Sequence, residues 1–233
     1  MKVSIIIPVY NEEKTVGKII KKILAASFPP KYTSEVIVVD DGSTDRTWRE
    51  IKKFKSGFKV LRHLINLGKG SAVRTGISKA TGEVILIQDA DLEYDPKDYR
   101  ALLTPFTNPQ VQAVYGSRLA NYPLVLWGRD KTPLPVHWLA NKFLTFLTNL
   151  LYGQKITDME TGYKAVRRQL LNSLQLTSNR FEIEPEITAK ILKRKILIHE
   201  IAIKVRPRSY AEGKKIGWRD GFSAMWVLFK YRF

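Results

Sequence analysis

Hydrophobic and polar positions alternate along the first half of the chain in two distinct periods. Short β-branched runs predict strands at residues 3–7, 35–39, 59–62 and 83–87. The amphipathic segments between them predict helices at about 13–26, 45–54 and 96–107, with a further helix opening near residue 70. Strands that alternate with helices are typical of a parallel sheet covered on both faces. The pattern therefore predicts an α/β fold with a mostly parallel central sheet.

Two segments of the second half have the pattern of amphipathic surface helices. Residues 136–152 are too polar and too short to span a bilayer comfortably. The C-terminus carries an aromatic stripe: Trp218, Phe222, Trp226, Phe229 and Phe233. A basic helix with such a stripe suits the headgroup boundary of a membrane, but the same stripe is also typical of core packing. We predict a main domain over 1–215, including the helix at about 136–152, and a surface helix over 216–233.

Charge is distributed unevenly along the chain, whose net charge is +17. Residues 1–114 contain 18 basic and 13 acidic side chains, whereas residues 115–233 contain 21 and 9. A basic second half is typical of proteins that bind an anionic partner, such as a nucleic acid, a membrane leaflet or a phosphorylated substrate. A solvated helical surface rich in lysine is the simpler explanation. The chain has no cysteine and three scattered histidines, which excludes a disulfide scaffold and argues against a zinc site. The apolar stretch before Pro8 is too short for a signal peptide, so no export is expected.

Three carboxylates follow the apolar run at 84–87. If the strand alternation continued, Asp89, Asp91 and Glu93 would point the same way and form a cluster of hard oxygen ligands for Mg²⁺ or Mn²⁺. Ligands of open α/β sheets bind outside the carboxyl ends of the strands, which is where this segment lies. A solvated acidic turn is the simpler interpretation of the same residues.

The loops after the first two strands add aromatic and acidic groups at the same edge. Tyr10 and Glu12 follow the first strand, and Asp40 and Asp41 follow the second. An aromatic face can stack on a base, and an aspartate can accept a hydrogen bond from a base N–H or a ribose hydroxyl. Together these residues predict a nucleotide pocket, although Asp40 or Asp41 alone would also serve as a helix cap.

Other functional classes fit the sequence less well. An NAD-dependent oxidoreductase requires a Gly-x-Gly-x-x-Gly turn after the first strand, and residues 8–13 contain none. Residues 69–71 lack the full spacing of a phosphate-binding loop. A nucleic-acid-binding module would explain the charge but would leave the carboxylate cluster without a role.

Four motifs in the first half resemble the ordered signatures of family 2 glycosyltransferases of GT-A fold. They are IIIPVYNE (5–12), VVDDGSTD (38–45), NLGKG (66–70) and QDAD (88–91). Four later motifs resemble dolichyl-phosphate or polyprenyl-phosphate mannosyl and glucosyl transferases. They are GSR (116–118), TDMETGYK (157–164), RFE (180–182) and RSYAEGKK (208–215). The resemblance thus extends over nearly the whole chain in the correct order.

The resemblance implies roles for individual residues. Asp91 and Arg118 are the implied catalytic residues, and Asp89, Asp91 and Glu93 the implied metal ligands. The residues implied to bind the nucleotide sugar are Pro8, Tyr10, Glu12, Val39, Asp41, Asp89, Ala90, Asp91, Arg118, Arg208 and Lys214. Arg118, Arg129 and Lys131 are the implied contacts of the acceptor phosphate. Position 93 is glutamine in many mannosyl members, so Glu93 leaves the identity of the sugar open.

The resemblance also implies a reaction and a location in the cell. A hexose is expected to pass with inversion from a nucleotide sugar, GDP-mannose first, to a polyprenyl or dolichyl phosphate, with Mg²⁺ or Mn²⁺ as cofactor. UDP-glucose as donor and a soluble or polysaccharide acceptor are the alternatives. The lipid acceptor implies a peripheral or monotopic enzyme at the cytoplasmic face of a membrane that binds no nucleic acid. A separate membrane subunit remains an open alternative.

Overall fold

The computed structural model describes residues 1–54, 57–120, 135–206 and 217–233, without the side chains of residues 218 and 219. The strands in this part of the chain are β1 (Lys2–Val9), β2 (Thr33–Asp40), β3 (Phe58–Arg62), β4 (Val84–Ile87), β5 (Ala113–Ser117), β6 (Lys164–Arg167) and β7 (Ile198–Ala202). The α-helices are α1 (Val16–Leu24), α2 (Thr47–Ile51), α3 (Lys69–Lys79), α4 (Tyr99–Leu103), α5 (Pro135–Tyr152), α6 (Arg168–Ser173), α7 (Ile183–Lys193) and α8 (Trp218–Arg232).

The described strands form one sheet in the order β3-β2-β1-β4-β6-β5-β7. Strands β1 to β4 pair in parallel, as do β5 and β7, while β6 runs antiparallel between β4 and β5. The predicted α/β architecture with a mostly parallel sheet is therefore confirmed. All four strands predicted in the first half are present, with no end shifted by more than two residues.

Two helical predictions need correction in their extent. The helix predicted at 96–107 is a short α4 between two 3₁₀ turns, Pro96–Asp98 and Thr104–Thr107. Pro105 lacks the N–H that a continuing α-helix would require, which explains the break. The helix predicted at 45–54 is the five-residue α2.

The sheet separates two hydrophobic cores because successive side chains of a strand point to opposite faces. Ile6 of β1 packs in one core with residues of α3, α5, α7 and α8. Ile5 and Ile7 pack in the other with residues of α1, α2 and α4. Helices α5 and α8 therefore lie on the same face of the sheet, and α1 lies on the opposite face.

Helix α8 packs on the first core with one side and exposes its aromatic side. Ala224 and Leu228 are buried, whereas Phe222, Trp226, Phe229 and Phe233 are 62%, 69%, 42% and 91% exposed. The core interpretation of the stripe is therefore wrong for these four residues. Helix α5 likewise exposes an apolar row, namely Val136, Leu139, Phe143, Phe146 and Leu150. None of the helices in the described ranges combines the length and apolar character that a bilayer span needs.

Candidate active site

A cavity of about 860 Å³ lies at the carboxyl ends of β1 and β4. Its walls come from segments that are far apart in the sequence: the loops after β1 and β4, the start of α3, residues 160–162 and 180–184, and helices α5 and α8. Of the predicted site residues, those that line it are Pro8, Tyr10, Glu12, Asp41, Asp89, Ala90, Asp91, Glu93 and Arg118. The fold thus brings most of the predicted set to one place.

The loops after β1 and β2 are joined by hydrogen bonds. The backbone N–H of Asn11 donates to Ser43 Oγ at 3.0 Å, and that of Glu12 donates to Thr47 Oγ1 at 2.7 Å. Thr44 N–H donates to Asn11 Oδ1 at 2.9 Å. These bonds hold Tyr10 and Glu12 at the mouth of the pocket predicted from the two loops.

Asp41 supports a loop of the cavity. Its carboxylate accepts hydrogen bonds from the N–H groups of Leu67 at 3.0 Å and Gly68 at 2.8 Å, and pairs with His63 Nδ1 at 2.7 Å. The nucleoside contact predicted for Asp41 remains a prediction. Val39 is fully buried in the core and is not among the described residues that line the cavity.

The acidic segment after β4 is a turn. The strand ends at Ile87, and Leu92 has a φ of 65°, so strand alternation does not orient the three carboxylates. A buried network holds the start of the turn instead, because Tyr99 Oη and Tyr163 Oη donate to Gln88 Oε1 at 2.8 and 2.6 Å. The side chain of Gln88 in turn donates to the carbonyl of Asp89 at 2.9 Å.

Asp89 is paired with a lysine that was not among the predicted site residues. Lys69 Nζ lies 2.6 Å from Asp89 Oδ1 and 2.9 Å from Glu184 Oε1. Burial disfavours the ammonium ion, but the two carboxylates outweigh burial and raise the pKa of Lys69 above its usual value. Both Lys69 and Glu184 line the cavity.

A second lysine continues this chain of charges into the core. Lys164 is fully buried, and its Nζ lies 2.7 Å from Glu184 Oε2. Burial alone would raise the pKa of Glu184, but Lys164 and Lys69 outweigh it and lower that pKa to about 2. Asp89, Lys69, Glu184 and Lys164 therefore form an alternating row of charges that extends from the cavity wall into the core.

The donor set at the turn fits a hard divalent cation that is shared with a substrate. Asp91 and Glu93 line the cavity on one turn, where Glu93 N–H donates to Asp91 Oδ1 at 3.0 Å. Magnesium is often held by one or two carboxylates together with phosphate oxygens of the substrate. Within the described ranges no group of three or more acidic or histidine side chains is arranged to hold a metal by itself. Asp89, the third predicted ligand, is paired with Lys69. The metal site of Asp89, Asp91 and Glu93 therefore remains a prediction, in which substrate phosphates would complete the coordination.

Arg118 is held rigidly at the cavity wall. Its Nε and Nη2 donate to the two oxygens of Asp158 at 2.7 and 2.8 Å, and its backbone N–H donates to the same carboxylate at 2.9 Å. Asp158 is completely buried. This planar bidentate pairing fixes the guanidinium group, which is a geometry that lysine could not reproduce.

Glu160 also lines the cavity, although it was not among the predicted site residues. Its Oε1 is shielded from solvent and has no hydrogen-bond partner among the described residues. Burial raises the pKa of its carboxyl to about 7, although the nearby Lys164 opposes the shift.

The start of α3 does not offer its N–H groups to a ligand. Gly70 N–H donates to the carbonyl of Arg180 at 3.1 Å, and Ser71 N–H donates to that of Asn179 at 3.0 Å. A phosphate cannot occupy these donors as it does in a phosphate-binding loop. The structure therefore agrees with the sequence, in which residues 69–71 lack the full spacing of a phosphate-binding loop.

The far side of the cavity is more apolar. Val136, Phe143 and Leu144 of α5 face it, together with Phe222 and Met225 of α8. One continuous cavity therefore joins the carboxylates and cations at the sheet edge to apolar side chains on two amphipathic helices. Arg129, Lys131, Arg208 and Lys214, which were also predicted for the site, lie outside the described residues.

Comparison with known proteins identifies a family and several relatives. The family described as Glycosyl transferase family 2 matches residues 4–175. An uncharacterised protein of Methanocaldococcus jannaschii is 30% identical over 98% of this chain and 90% of its own length. The UDP-N-acetylglucosamine–dolichyl-phosphate N-acetylglucosaminyltransferase of Methanococcus voltae is 28% identical over 97% of this chain and 94% of that protein. The dolichol-phosphate mannosyltransferase of Pyrococcus furiosus is 31% identical over 93% of this chain, which spans 61% of that longer protein.

Solved structures share the fold at lower identity. Glucosyl-3-phosphoglycerate synthase of Mycobacterium tuberculosis in complex with UDP superposes with a TM-score of 0.74 at 21% identity, covering 99% of this chain and 80% of that one. The same synthase with Mn²⁺, UDP and glucosyl-3-phosphoglycerate gives a TM-score of 0.72 at 20% identity, covering 99% and 79%. This likeness confirms the predicted GT-A fold.

Proposed function

This chain belongs to glycosyl transferase family 2, and we propose that it moves a hexose from a nucleotide sugar to the phosphate of a polyprenyl or dolichyl phosphate. The observation that carries the proposal is the single cavity that is charged at the sheet edge and apolar between α5 and α8. Such a cavity can hold a polar nucleotide sugar at one end and the start of a long apolar tail at the other. The names of the relatives from M. voltae and P. furiosus support the same acceptor class.

The chemistry of the acceptor explains why no dedicated base is needed. A phosphomonoester has a second pKa of about 6 and is largely dianionic at neutral pH. Its oxygen can attack the anomeric carbon directly, forming the new C–O bond as the bond to the nucleoside diphosphate breaks. Attack from the opposite side inverts the configuration, so an α-linked donor gives a β-linked lipid phosphate sugar.

Cationic groups must offset the charge of two phosphorylated substrates. Arg118 and Arg180 line the cavity, whereas Lys69 is already paired with Asp89 and Glu184. We assign Arg118 to the phosphates of donor or acceptor, with Arg208 and Lys214 on the donor side and Arg129 and Lys131 near the acceptor. A divalent cation bound at Asp91 and Glu93 would stabilise the negative charge that develops on the leaving diphosphate.

The donor is GDP-mannose in the first form of the proposal and a UDP-linked hexose in the second. The nearly full-length M. voltae relative, whose name specifies UDP-N-acetylglucosamine, favours the second form. The test is release of nucleoside diphosphate from GDP-mannose, UDP-glucose and UDP-N-acetylglucosamine in the presence and absence of polyprenyl phosphate. One donor is expected to release its diphosphate at least about tenfold faster when the acceptor is present, which is about 1.4 kcal/mol in barrier. Equal release with and without the acceptor for every donor would contradict the proposal.

The exposed apolar rows of α5 and α8 are proposed to rest on the membrane that holds the acceptor. They border the apolar side of the cavity, so a phosphate at the bilayer surface could enter while its tail stays in lipid. Lys230 and Arg232 near the end of α8 are exposed and would favour anionic headgroups by about 1 kcal/mol each.

Replacing Trp226 and Phe229 together with serine is expected to weaken binding to anionic vesicles by about tenfold or more, because burial of one large apolar side chain contributes about 1.5–3 kcal/mol. Both side chains are exposed and do not line the main cavity, so the fold and the transfer to a short-chain soluble acceptor should survive. Vesicle co-sedimentation at several salt concentrations measures the change.

Leu24→Ser is the matched control, because Leu24 is 55% exposed on α1 at the opposite face of the sheet. It should leave vesicle binding unchanged. If the α8 variant stayed folded and sedimented as well as the wild type, the membrane face would have to lie elsewhere. Truncating the whole helix would be a poorer test, because Leu228 is fully buried and its carbonyl accepts from Tyr152 Oη at 2.7 Å.

A further inference from the structure

Glu160 lies where the two halves of the cavity meet. Two residues after it, Gly162 packs so closely on Asp89 that a Cβ at position 162 would collide with the carboxylate. One residue before it, the N–H of Met159 donates to Thr145 Oγ1 of α5 at 3.1 Å. Glu160 is therefore held between the acidic turn of the sheet edge and the helix that forms the apolar side. In the proposed reaction the hexose passes between the sheet edge and the apolar side, next to this residue.

The neighbouring cations do not supply a hydrogen bond to Glu160. The ammonium group of Lys164 has three donor hydrogens, and it bonds the carbonyls of Met159 and Thr161 and the carboxylate of Glu184. The guanidinium of Arg118 is aligned on Asp158. Oε1 of Glu160 remains without a partner in the described part of the chain. Glu160 lines the cavity, so a ligand bound there is the available source of a donor for its carboxylate.

We propose that Glu160 accepts a hydrogen bond from a hydroxyl group of the donor hexose and selects neutral sugars over anionic ones. The proposal rests on the transferase function above and names a residue that sets its specificity. Because the two oxygens of a carboxylate are equivalent and the terminal torsion of glutamate is soft, one oxygen can face the sugar while the other stays shielded. A carboxylate accepts well from a sugar hydroxyl, and it repels a sugar that itself carries a carboxylate.

The test compares wild type with Glu160→Gln on the donor that the release assay identifies. The substrates are that donor, its single deoxy analogues and the corresponding uronate, assayed at pH 8 to keep the carboxylate ionised. For one deoxy analogue, wild-type kcat/KM should fall about 10- to 100-fold, the loss expected for a hydrogen bond to a charged group. In the variant the same analogue should lower kcat/KM by no more than about threefold. The ratio of kcat/KM for the neutral sugar to that for the uronate should also fall about 10- to 100-fold.

Two further measurements separate recognition from damage to the fold. The inhibition constant of the bare nucleoside diphosphate, which lacks the sugar, should be the same in both proteins. Asp98→Asn is the matched control, because Asp98 Oδ2 is also buried without a partner and Asp98 does not line the cavity. This variant should show the same losses of kcat/KM with the deoxy analogues as the wild type.

The proposal would be overturned if wild type and Glu160→Gln lost the same kcat/KM with every deoxy analogue. It would also be overturned if the variant bound the bare diphosphate more weakly by the same factor as it bound the donor. Failure of the transferase function is a separate result, in which the wild type transfers sugar from no donor. In that case isothermal titration calorimetry, which requires binding but no transfer, tests the role of Glu160. The wild type should bind the hexose donor more tightly than the bare diphosphate, and the variant should lose that difference.

Discussion

Replacing Asp91 with asparagine is expected to reduce sugar transfer by at least about a hundredfold, a loss comparable to removing a major electrostatic stabiliser. The amide keeps the shape of the side chain, and its oxygen can still accept the hydrogen bond from Glu93 N–H. It is, however, a much weaker ligand for a hard divalent cation than a carboxylate. The initial rate of transfer at saturating Mn²⁺, with circular dichroism to verify the fold, measures the effect.

Asp95→Asn is the matched control for this substitution. Asp95 lies four residues later and outside the cavity lining, where it pairs with the exposed Lys22 at 2.8 Å. Its loss should change the rate by less than about twofold, since exposed ion pairs contribute little. Turnover of Asp91→Asn close to that of the wild type would remove Asp91 from the proposed metal site.

Replacing Lys69 with methionine is expected to lower the free energy of unfolding by about 3–5 kcal/mol, because Asp89 loses its ion-pair partner and Glu184 keeps only Lys164. Transfer should fall as well, since Asp89 would lose the partner that orients it. The pKa of Glu184 is lowered to about 2 from 4.5, so the stabilisation from its ionised form is present above pH 4.5 and is lost as the pH falls toward 2. The stability difference between wild type and variant should therefore be largest near neutral pH and narrow below about 4.5.

Lys59→Met provides the comparison for a surface pair. Lys59 Nζ lies 3.2 Å from Glu35, but its side chain is 48% exposed, so its removal should cost at most about 1 kcal/mol. Chemical denaturation at several pH values measures both variants. If Lys69→Met were no less stable than Lys59→Met at neutral pH, the row of charges would not have the structural role assigned to it.

The first half of the fold could be predicted from the sequence because its strands and helices follow one another in simple periodic patterns. The run at 84–87 was correctly predicted as a strand, and the acidic residues after it do line the cavity. The expectation that strand alternation orients these residues is wrong, since Gln88 and two tyrosines hold a turn there. No local pattern indicates that Tyr163 reaches Gln88 across the sheet.

The buried charges of the site could not be predicted either, because the residues that pair are far apart in the sequence. Lys69 stood in a recognised motif, but its partner Glu184 belongs to α7, far along the chain. Lys164 begins strand β6 and would be expected at the surface, since a lysine is rarely buried unless it is paired. Only the folded topology brings these residues to Asp89. Glu160 was visible in its motif, but nothing in the sequence showed that one of its oxygens is shielded and lacks a partner.

The proposed function is tested most directly by following the sugar itself. The protein is incubated with the accepted radiolabelled donor and either polyprenyl phosphate or the matching polyprenol, and the lipid is then extracted into organic solvent. The proposed function predicts label in the lipid fraction with polyprenyl phosphate and none with the polyprenol, since the phosphate oxygen is the nucleophile. Consumption of the donor without label in the lipid, or equal labelling of the polyprenol, would contradict it.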